Sequence, residues 1–284
     1  MHKILHKELL GPNVHRYRID APEIARRRKA GQFVIIRVNE QGERIPLTIA
    51  DGDPEEGSIT LIVQAVGKTT LELADKQVGD FIPDVVGPLG QPTHIEKVGT
   101  VLIVGGGIGI APIYPITQAL KAAGNHIITI IGARSKNLLI MEEDMKALSD
   151  EFIVMTDDGS YGQKGLVTDA IKRVHARGTA IGQCVAIGPP IMMKFVSLLT
   201  RELGIPTVVS LNPIMIDGTG MCGGCRVTVG GKTRFVCVDG PEFDGHQVDF
   251  DEMMKRLGMY REHECRAAAR YKELHPDRAE DVER

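Results

Sequence analysis

The hydrophobic rhythm of the chain changes near residue 99. Before that point the apolar positions fall in short runs, Val14 to Ile19, Phe33 to Val38 and Ile59 to Val66. Turn formers separate them, as in Gly11-Pro12, Gly31-Gln32 and Asp51-Gly52-Asp53-Pro54. Short alternating or apolar runs between Gly, Pro and Asp clusters predict strands, and many such strands in succession predict a small barrel over residues 1–98. One short helix is expected to open at Ala21-Pro22-Glu23, because Pro is tolerated at a first helical position.

After residue 99 the pattern becomes one of buried runs alternating with helical stretches. Val101-Leu102-Ile103-Val104 is continuously apolar and ends in glycines. A helix is predicted from about Ala111 to Ala123. Then come Ile127 to Ile131, a helix over about Asn137 to Leu148, Phe152 to Met155, a helix over about Val167 to Ala176, Val185 to Ile187, a helix over about Pro190 to Leu203, and Thr207 to Leu211. Apolar strands alternating with helices predict a parallel sheet covered on both faces, here over residues 99–211. Residues 212–249 are rich in glycine and cysteine. Residues 250–284 are charged and helical in pattern, with Phe250, Met253, Met254 and Leu257 forming one apolar stripe. The fold class expected is therefore a β-barrel plus an α/β domain, a small C-terminal cluster segment and a helical extension.

Composition narrows the function. The 284 residues are 43% hydrophobic and 25% charged, enough for real cores in two or three units. The net charge of −3 offers no basic stripe for nucleic acid. Met1 to Lys7 is charged with no apolar stretch after it, so no signal peptide is expected. The most apolar window, Val101 to Ile116, is too short for a membrane span and is broken by glycines and prolines. A soluble, cytoplasmic protein is expected.

The chemistry is concentrated in two places. The first is Asp217-Gly218-Thr219-Gly220-Met221-Cys222-Gly223-Gly224-Cys225, followed by Cys237. The spacing is that of a plant-type [2Fe–2S] site, C-x4-C-x2-C with a distant fourth Cys, except that Asp217 stands first. Thiolates suit iron as soft anionic donors, and glycines let the backbone wrap a cluster closely. Zinc held by three Cys and one Asp is the competing reading. The fourth anchor is Asp217 or, alternatively, Cys184 or Cys265. Cys184 falls in a buried strand and reads as core. The nine His are scattered along the chain and read as no metal site, and the eleven Met read as packing.

The second place is Gly105-Gly106-Gly107-Ile108-Gly109-Ile110-Ala111-Pro112, between a buried strand and a helix. That context suits a dinucleotide: a tight turn, a close backbone approach and a helix N-terminus for pyrophosphate. Gly105, Gly107 and Gly109 are the candidate glycines, and Pro112 takes the place of the usual third Gly or Ala. Arg134 and Ser135 end the second strand, where the adenosine ribose lies, and an Arg there points to the 2′-phosphate of NADP(H). Asp157 and Gly188 follow the third and fourth strands, at the edge where open α/β sheets bind ligands.

Taken together these motifs resemble the ferredoxin–NADP reductase superfamily, and within it the dihydroorotate dehydrogenase electron-transfer subunit group, over about residues 1–245. The group includes the small subunits of sulfide dehydrogenases and of bifurcating NADH-dependent ferredoxin:NADP oxidoreductases, and an Asp opening the cluster motif marks that branch. The resemblance implies a ferredoxin-reductase-like barrel binding FAD. Arg44-Ile45-Pro46-Leu47-Thr48 resembles the flavin-binding R-x-Y-[ST] segment, with Leu47 in place of the aromatic and Arg44 offset by one. Arg44 would meet a flavin phosphate, Pro46 and Leu47 would flank the ring, and Thr48 would place a catalytic hydroxyl near flavin N5. Val63 would touch the flavin from a neighbouring strand. Gly67-Lys68-Thr69-Thr70 resembles the phosphate loop, with Gly67, Thr69 and Thr70 at the pyrophosphate, and Gly87 belongs to the segment that closes the barrel. The resemblance also implies NAD(H) as the nucleotide, Asp217, Cys222, Cys225 and Cys237 as cluster ligands, and a heterodimer with a larger flavin and [4Fe–4S] subunit. Ferredoxin would be reached through that partner.

Overall fold

The computed structural model describes residues 1–275. Its first third is a seven-stranded antiparallel sheet curled into a nearly closed barrel. The strands are β1 (His2–Gly11), β2 (Val14–Asp20), β3 (Phe33–Arg37), β4 (Arg44–Asp53), β5 (Ser58–Gln64), β6 (Phe81–Ile82) and β7 (Asp84–Leu89). Their order is β6-β1-β2-β5-β4-β3-β7. Alternate residues point inward. Tyr17 and Ile19 of β2, Val34 and Ile36 of β3, and Ile59, Leu61 and Val63 of β5 thus meet in one core. Helix α1 (Pro22–Arg27) starts at its proline, and α2 (Lys68–Asp75) follows Gly67.

Residues 90–99 lead from the barrel into a second seven-stranded sheet. Its strands are β8 (Thr100–Gly106), β9 (His126–Ala133), β10 (Glu151–Thr156), β11 (Gln163–Lys164), β12 (Gln183–Ile187) and β13 (Thr207–Ser210), all parallel. Helices α3 (Ile110–Ala122), α4 (Glu142–Leu148), α5 (Val167–Ala176) and α6 (Pro190–Glu202) cover it. Successive residues of β8 enter opposite cores: Val101 and Ile103 on one face, Leu102 and Val104 on the other. That is why its run is continuously apolar.

The long helix expected over 137–148 is in two pieces. A short 3-10 turn, Lys136–Leu138, precedes α4, and Met141 between them has a φ of 52°. Ile140, 3% exposed, is drawn into the core, which breaks the helical path.

The glycine-rich segment contributes the hairpin β14 (Arg226–Val229) and β15 (Lys232–Phe235), the short helix α7 (Val236–Asp239), and β16 (Glu242–Asp244). β16 pairs antiparallel with β13 and so completes the nucleotide sheet at its edge. Helix α8 (Phe250–Leu257) is capped by Asp249, whose carboxylate accepts from the Glu252 amide at 2.9 Å. Phe250 and Met253 of its apolar stripe join the core that also holds Cys225 and Cys237. Helix α9 (Arg261–Leu274) then returns to pack on α2 of the barrel. The extension expected beyond residue 275 lies outside the described residues. Among the described residues, no helix is long and apolar enough to cross a membrane.

Candidate electron-transfer site

The strand order β10-β9-β8-β12-β13 reverses direction between β8 and β12. Ligands of open α/β sheets bind at such a reversal, outside the carboxyl ends of the strands. Strand β8 ends on Gly105 and Gly106 and is followed by the turn Gly107–Gly109, and the loop after β12 begins at Gly188, so the two glycine segments lie side by side. A Cβ on Gly109 would stand 2.3 Å from the Ile187 carbonyl oxygen and 2.6 Å from Gly188 Cα. Gly107 has a φ of +54° and open space where a Cβ would go. One glycine serves packing and the other leaves the backbone bare toward the cavity. The N-terminus of α3 follows, with its free N–H groups facing the same way. Gly105 is packed under this turn, against Ile113.

A cavity of about 1240 Å³ opens here and is walled by all three parts of the chain. The barrel gives Pro46, Leu47 and Thr48; the nucleotide domain gives Gly107, Gly109 and Pro112; the cysteine-rich segment gives Met215 and Pro241. Arg134, Asp157 and Gly188 also stand on the wall. Ser135 does not; its hydroxyl donates to Asn137 Oδ1 at 2.6 Å.

Other residues singled out from the sequence lie elsewhere. The Val63 side chain is 3% exposed and points into the barrel core, while its neighbours Ile62 and Gln64 face the cavity. The alternation of the strand, counted from Leu61, assigns these two faces. Phe33, Met192 and Phe195 are further wall residues that no motif marked. Gly67, Thr69 and Thr70 form the start of α2, away from the cavity wall. The Thr70 hydroxyl accepts from the Gly67 amide at 3.0 Å, and Thr69 donates to Glu43 at 3.2 Å. Gly87 is pressed on β3, where a Cβ would meet Val34 at 2.8 Å. Arg44 turns to the cysteine-rich loop: its Nε donates to the Ile216 carbonyl at 2.7 Å.

Cys225, at the end of that loop, and Cys237, in α7, are buried, with their sulfurs 3.3 Å apart. Cys222 is exposed and its sulfur accepts from the Gly224 amide at 3.4 Å. The backbone turns through Gly218, Gly220 and Gly223, with φ of +87°, +82° and +65°, conformations that side chains rarely adopt. Asp217 accepts from the Thr219 hydroxyl and amide, and from the Met221 amide at 3.3 Å. These hydrogen bonds, and then the Arg44 charge, hold its carboxyl below the usual range. Without metal, burial and the Cys225 thiol push Cys237 up to about 12. A bound cation would reverse that by taking the thiolate as ligand. The structure pairs Cys225 with Cys237 and leaves Cys222 and Asp217 apart from them: among the described residues no three His, Cys, Asp or Glu groups converge on one point. What fits an iron–sulfur group is the donor set, three thiols and a carboxylate on a glycine-rich loop with amides donating to the Cys222 and Cys225 sulfurs. Cys184 is fully buried in β12, its thiol also pushed up to about 12 by burial, and Cys265 is exposed on α9.

Comparison with known proteins agrees with this geometry. Residues 212–249 match the iron–sulfur cluster binding domain of dihydroorotate dehydrogenase B, and residues 103–198 match the oxidoreductase NAD-binding domain. The chain is 55% identical over 264 residues to a homolog of the dihydroorotate dehydrogenase B electron transfer subunit from Thermotoga maritima, covering 93% of each chain. It is 33% identical to the electron transfer subunit from Geobacillus thermodenitrificans, covering 86% of this chain and 96% of that one. Among solved structures, one from work on flavin-based electron bifurcation, that of the NADH-dependent reduced ferredoxin-NADP oxidoreductase, is 54% identical. It covers 95% of this chain and 98% of that one, with a TM-score of 0.91. Phthalate dioxygenase reductase shares the fold at 15% identity and a TM-score of 0.60. The chain therefore belongs to the family of dihydroorotate dehydrogenase B electron transfer subunits, as an oxidoreductase component with an NAD-binding domain and an iron–sulfur-binding segment.

Proposed function

We propose that this chain is the FAD- and [2Fe–2S]-carrying subunit of a flavin-based electron-bifurcating NADH-dependent ferredoxin:NADP oxidoreductase. It moves electrons between NAD(H) and a larger partner subunit that carries flavin and [4Fe–4S] clusters, and ferredoxin is met through that partner. The observation that carries this reading is one cavity walled by barrel, nucleotide domain and cysteine-rich segment together. The 54% identity, over 95% of this chain, to the structure from work on the NADH-dependent reduced ferredoxin-NADP oxidoreductase supports the choice of enzyme.

When bound, FAD exchanges hydride with the nicotinamide, and the [2Fe–2S] cluster exchanges single electrons. The chain's own residues supply placement. Gly107 and the start of α3 offer N–H groups to the nucleotide pyrophosphate. Arg134, on the cavity wall, would meet the ribose. Thr48, on the same wall with Pro46, would offer its hydroxyl to the flavin ring. Gly67, Thr69 and the start of α2 are suited to the flavin pyrophosphate. Phe195, Met192 and Pro241 keep the cavity apolar and limit water. Asp217, Cys222, Cys225 and Cys237 hold the cluster.

The test is an anaerobic visible spectrum of the purified protein, with iron and flavin analysis, before and after NADH. Flavin and iron–sulfur bands that NADH bleaches are expected. A colourless protein that binds zinc would refute the redox reading. Co-purification separates the close alternatives, since a dihydroorotate-oxidising or sulfide-oxidising complex would bring a different large subunit.

A further inference from the structure

The cysteine-rich loop touches the barrel on both sides of Asp217. On one side, Arg44 of β4 donates Nε–H to the Ile216 carbonyl at 2.7 Å, across 172 positions of sequence. On the other, Gly218 lies so close that a Cβ would stand 2.8 Å from both Ile35 Cδ1 of β3 and Leu89 Cδ1 of β7. The φ of +87° at Gly218 lets the chain make this approach. The two contacts are independent, one a charge-assisted hydrogen bond and the other bare packing.

The strand makes the relationship functional. Side chains alternate along β4, so Arg44, Pro46 and Thr48 share one face. Pro46 and Thr48 stand on the cavity wall, and Arg44 stands at the loop. At about 3.4 Å per residue, the loop is seated roughly 14 Å along the strand from Thr48. Single-electron transfer falls steeply with the gap between donor and acceptor, so a contact that fixes this spacing also fixes a rate. The related motif places an arginine at a flavin phosphate, but here the guanidinium is turned toward the loop.

We propose that Arg44 is a positioning residue that, together with Gly218, docks the Asp217 loop on the flavin strand and so sets the spacing between flavin and iron–sulfur cluster. The inference rests on the cofactor assignment made above.

The experiment uses the full chain with its bound cofactors, as wild type and as Arg44→Gln, Arg44→Lys and Gly218→Ala. Flavin and iron content are measured first. Cluster reduction is then followed by rapid mixing with NADH, and the reduced cluster is recorded by electron paramagnetic resonance. Arg44→Gln is expected to keep its flavin and iron, to reduce its cluster about tenfold more slowly or worse, and to shift the cluster spectrum. Gly218→Ala is expected to slow transfer likewise, because a residue with a Cβ is strained at a φ of +87° and its methyl crowds the Ile35 and Leu89 tips on which the loop sits. Arg44→Lys keeps the charge but loses the Nε donor, and should fall between. A wild-type rate in Arg44→Gln or in Gly218→Ala overturns the proposal. So does loss of flavin from Arg44→Gln with an unchanged cluster spectrum, which would return Arg44 to the flavin phosphate. Absence of both cofactors from the wild type is a different result, and it would remove the proposed function together with the docking role.

Discussion

The Thr93 hydroxyl donates to the Glu242 carboxylate, Oγ1 to Oε1, at 2.5 Å. Thr93 belongs to the segment joining the two sheets and Glu242 to β16, so this bond ties the linker to the cysteine-rich segment. Gly31 of the barrel closes the third side, where a Cβ would stand 2.7 Å from the same carboxylate oxygen. Burial pushes the Glu242 carboxyl up from 4.5 to about 7, and the Thr93 hydroxyl partly offsets this.

A raised carboxyl has a definite sign in stability. Below about 4.5 the folded and unfolded chains both hold the proton. Between 4.5 and about 7 the unfolded chain releases it first, so this group's contribution to stability is lost as pH rises through that window. Glu242→Gln keeps an acceptor for Thr93 and cannot titrate. Urea midpoints at pH 5 and pH 8 should fall less with pH in Glu242→Gln than in wild type. Equal falls would show that Glu242 is not the titrating group.

The cysteines should separate cleanly. Cys225→Ser and Cys237→Ser are expected to lose most of their iron and the iron–sulfur absorption. Cys184→Ser should keep both, and lose about 1 kcal/mol of stability through a hydroxyl placed in β12. Iron analysis and a denaturant curve decide it. Iron retained at wild-type level in Cys225→Ser would remove that residue from the ligand set.

Two alanine substitutions in one loop should behave differently. Gly109→Ala drives a methyl to 2.3 Å from the backbone of Ile187, an overpacking that costs on the order of 1–3 kcal/mol or more. Gly107→Ala meets no atom and carries only the strain of a positive φ, about 1 kcal/mol. Denaturant curves should rank them so, while NADH titration should show weaker binding in both. The reverse stability order would mean that Gly109 is not pressed on Ile187.

Thr48→Val keeps the shape and removes the hydroxyl. Flavin content should be unchanged, whereas flavin reduction by NADH should slow roughly fivefold, as loss of one neutral hydrogen bond of about 1 kcal/mol implies. An unchanged rate would leave Thr48 as wall only.

Local pattern carried much of this fold. The buried runs of β8, β9 and β12 and the stripe of α8 are visible because burial imposes a period on the residues themselves. β1 escapes notice because it carries His2, Lys3, His6, Lys7 and Glu8 along a strand with Ile4 as its one fully buried residue. The site is legible where chemistry is local, as in the glycine loop and the cysteines. It is not legible where two distant segments meet. Nothing near Arg44 announces Ile216, and nothing near Glu242 announces β13. Val63 is a simpler case: motif similarity names a strand, and only the parity of that strand tells which neighbour faces the ligand.

The antiparallel pairing of β16 with β13 means that the cysteine-rich segment is not a portable module. Cutting the chain after Ser210 would strip a partner from β13 and leave a row of bare N–H and C=O groups, the kind of edge that templates aggregation. Fusion or grafting experiments that treat the cluster segment as a detachable cassette would have to carry the nucleotide sheet with it.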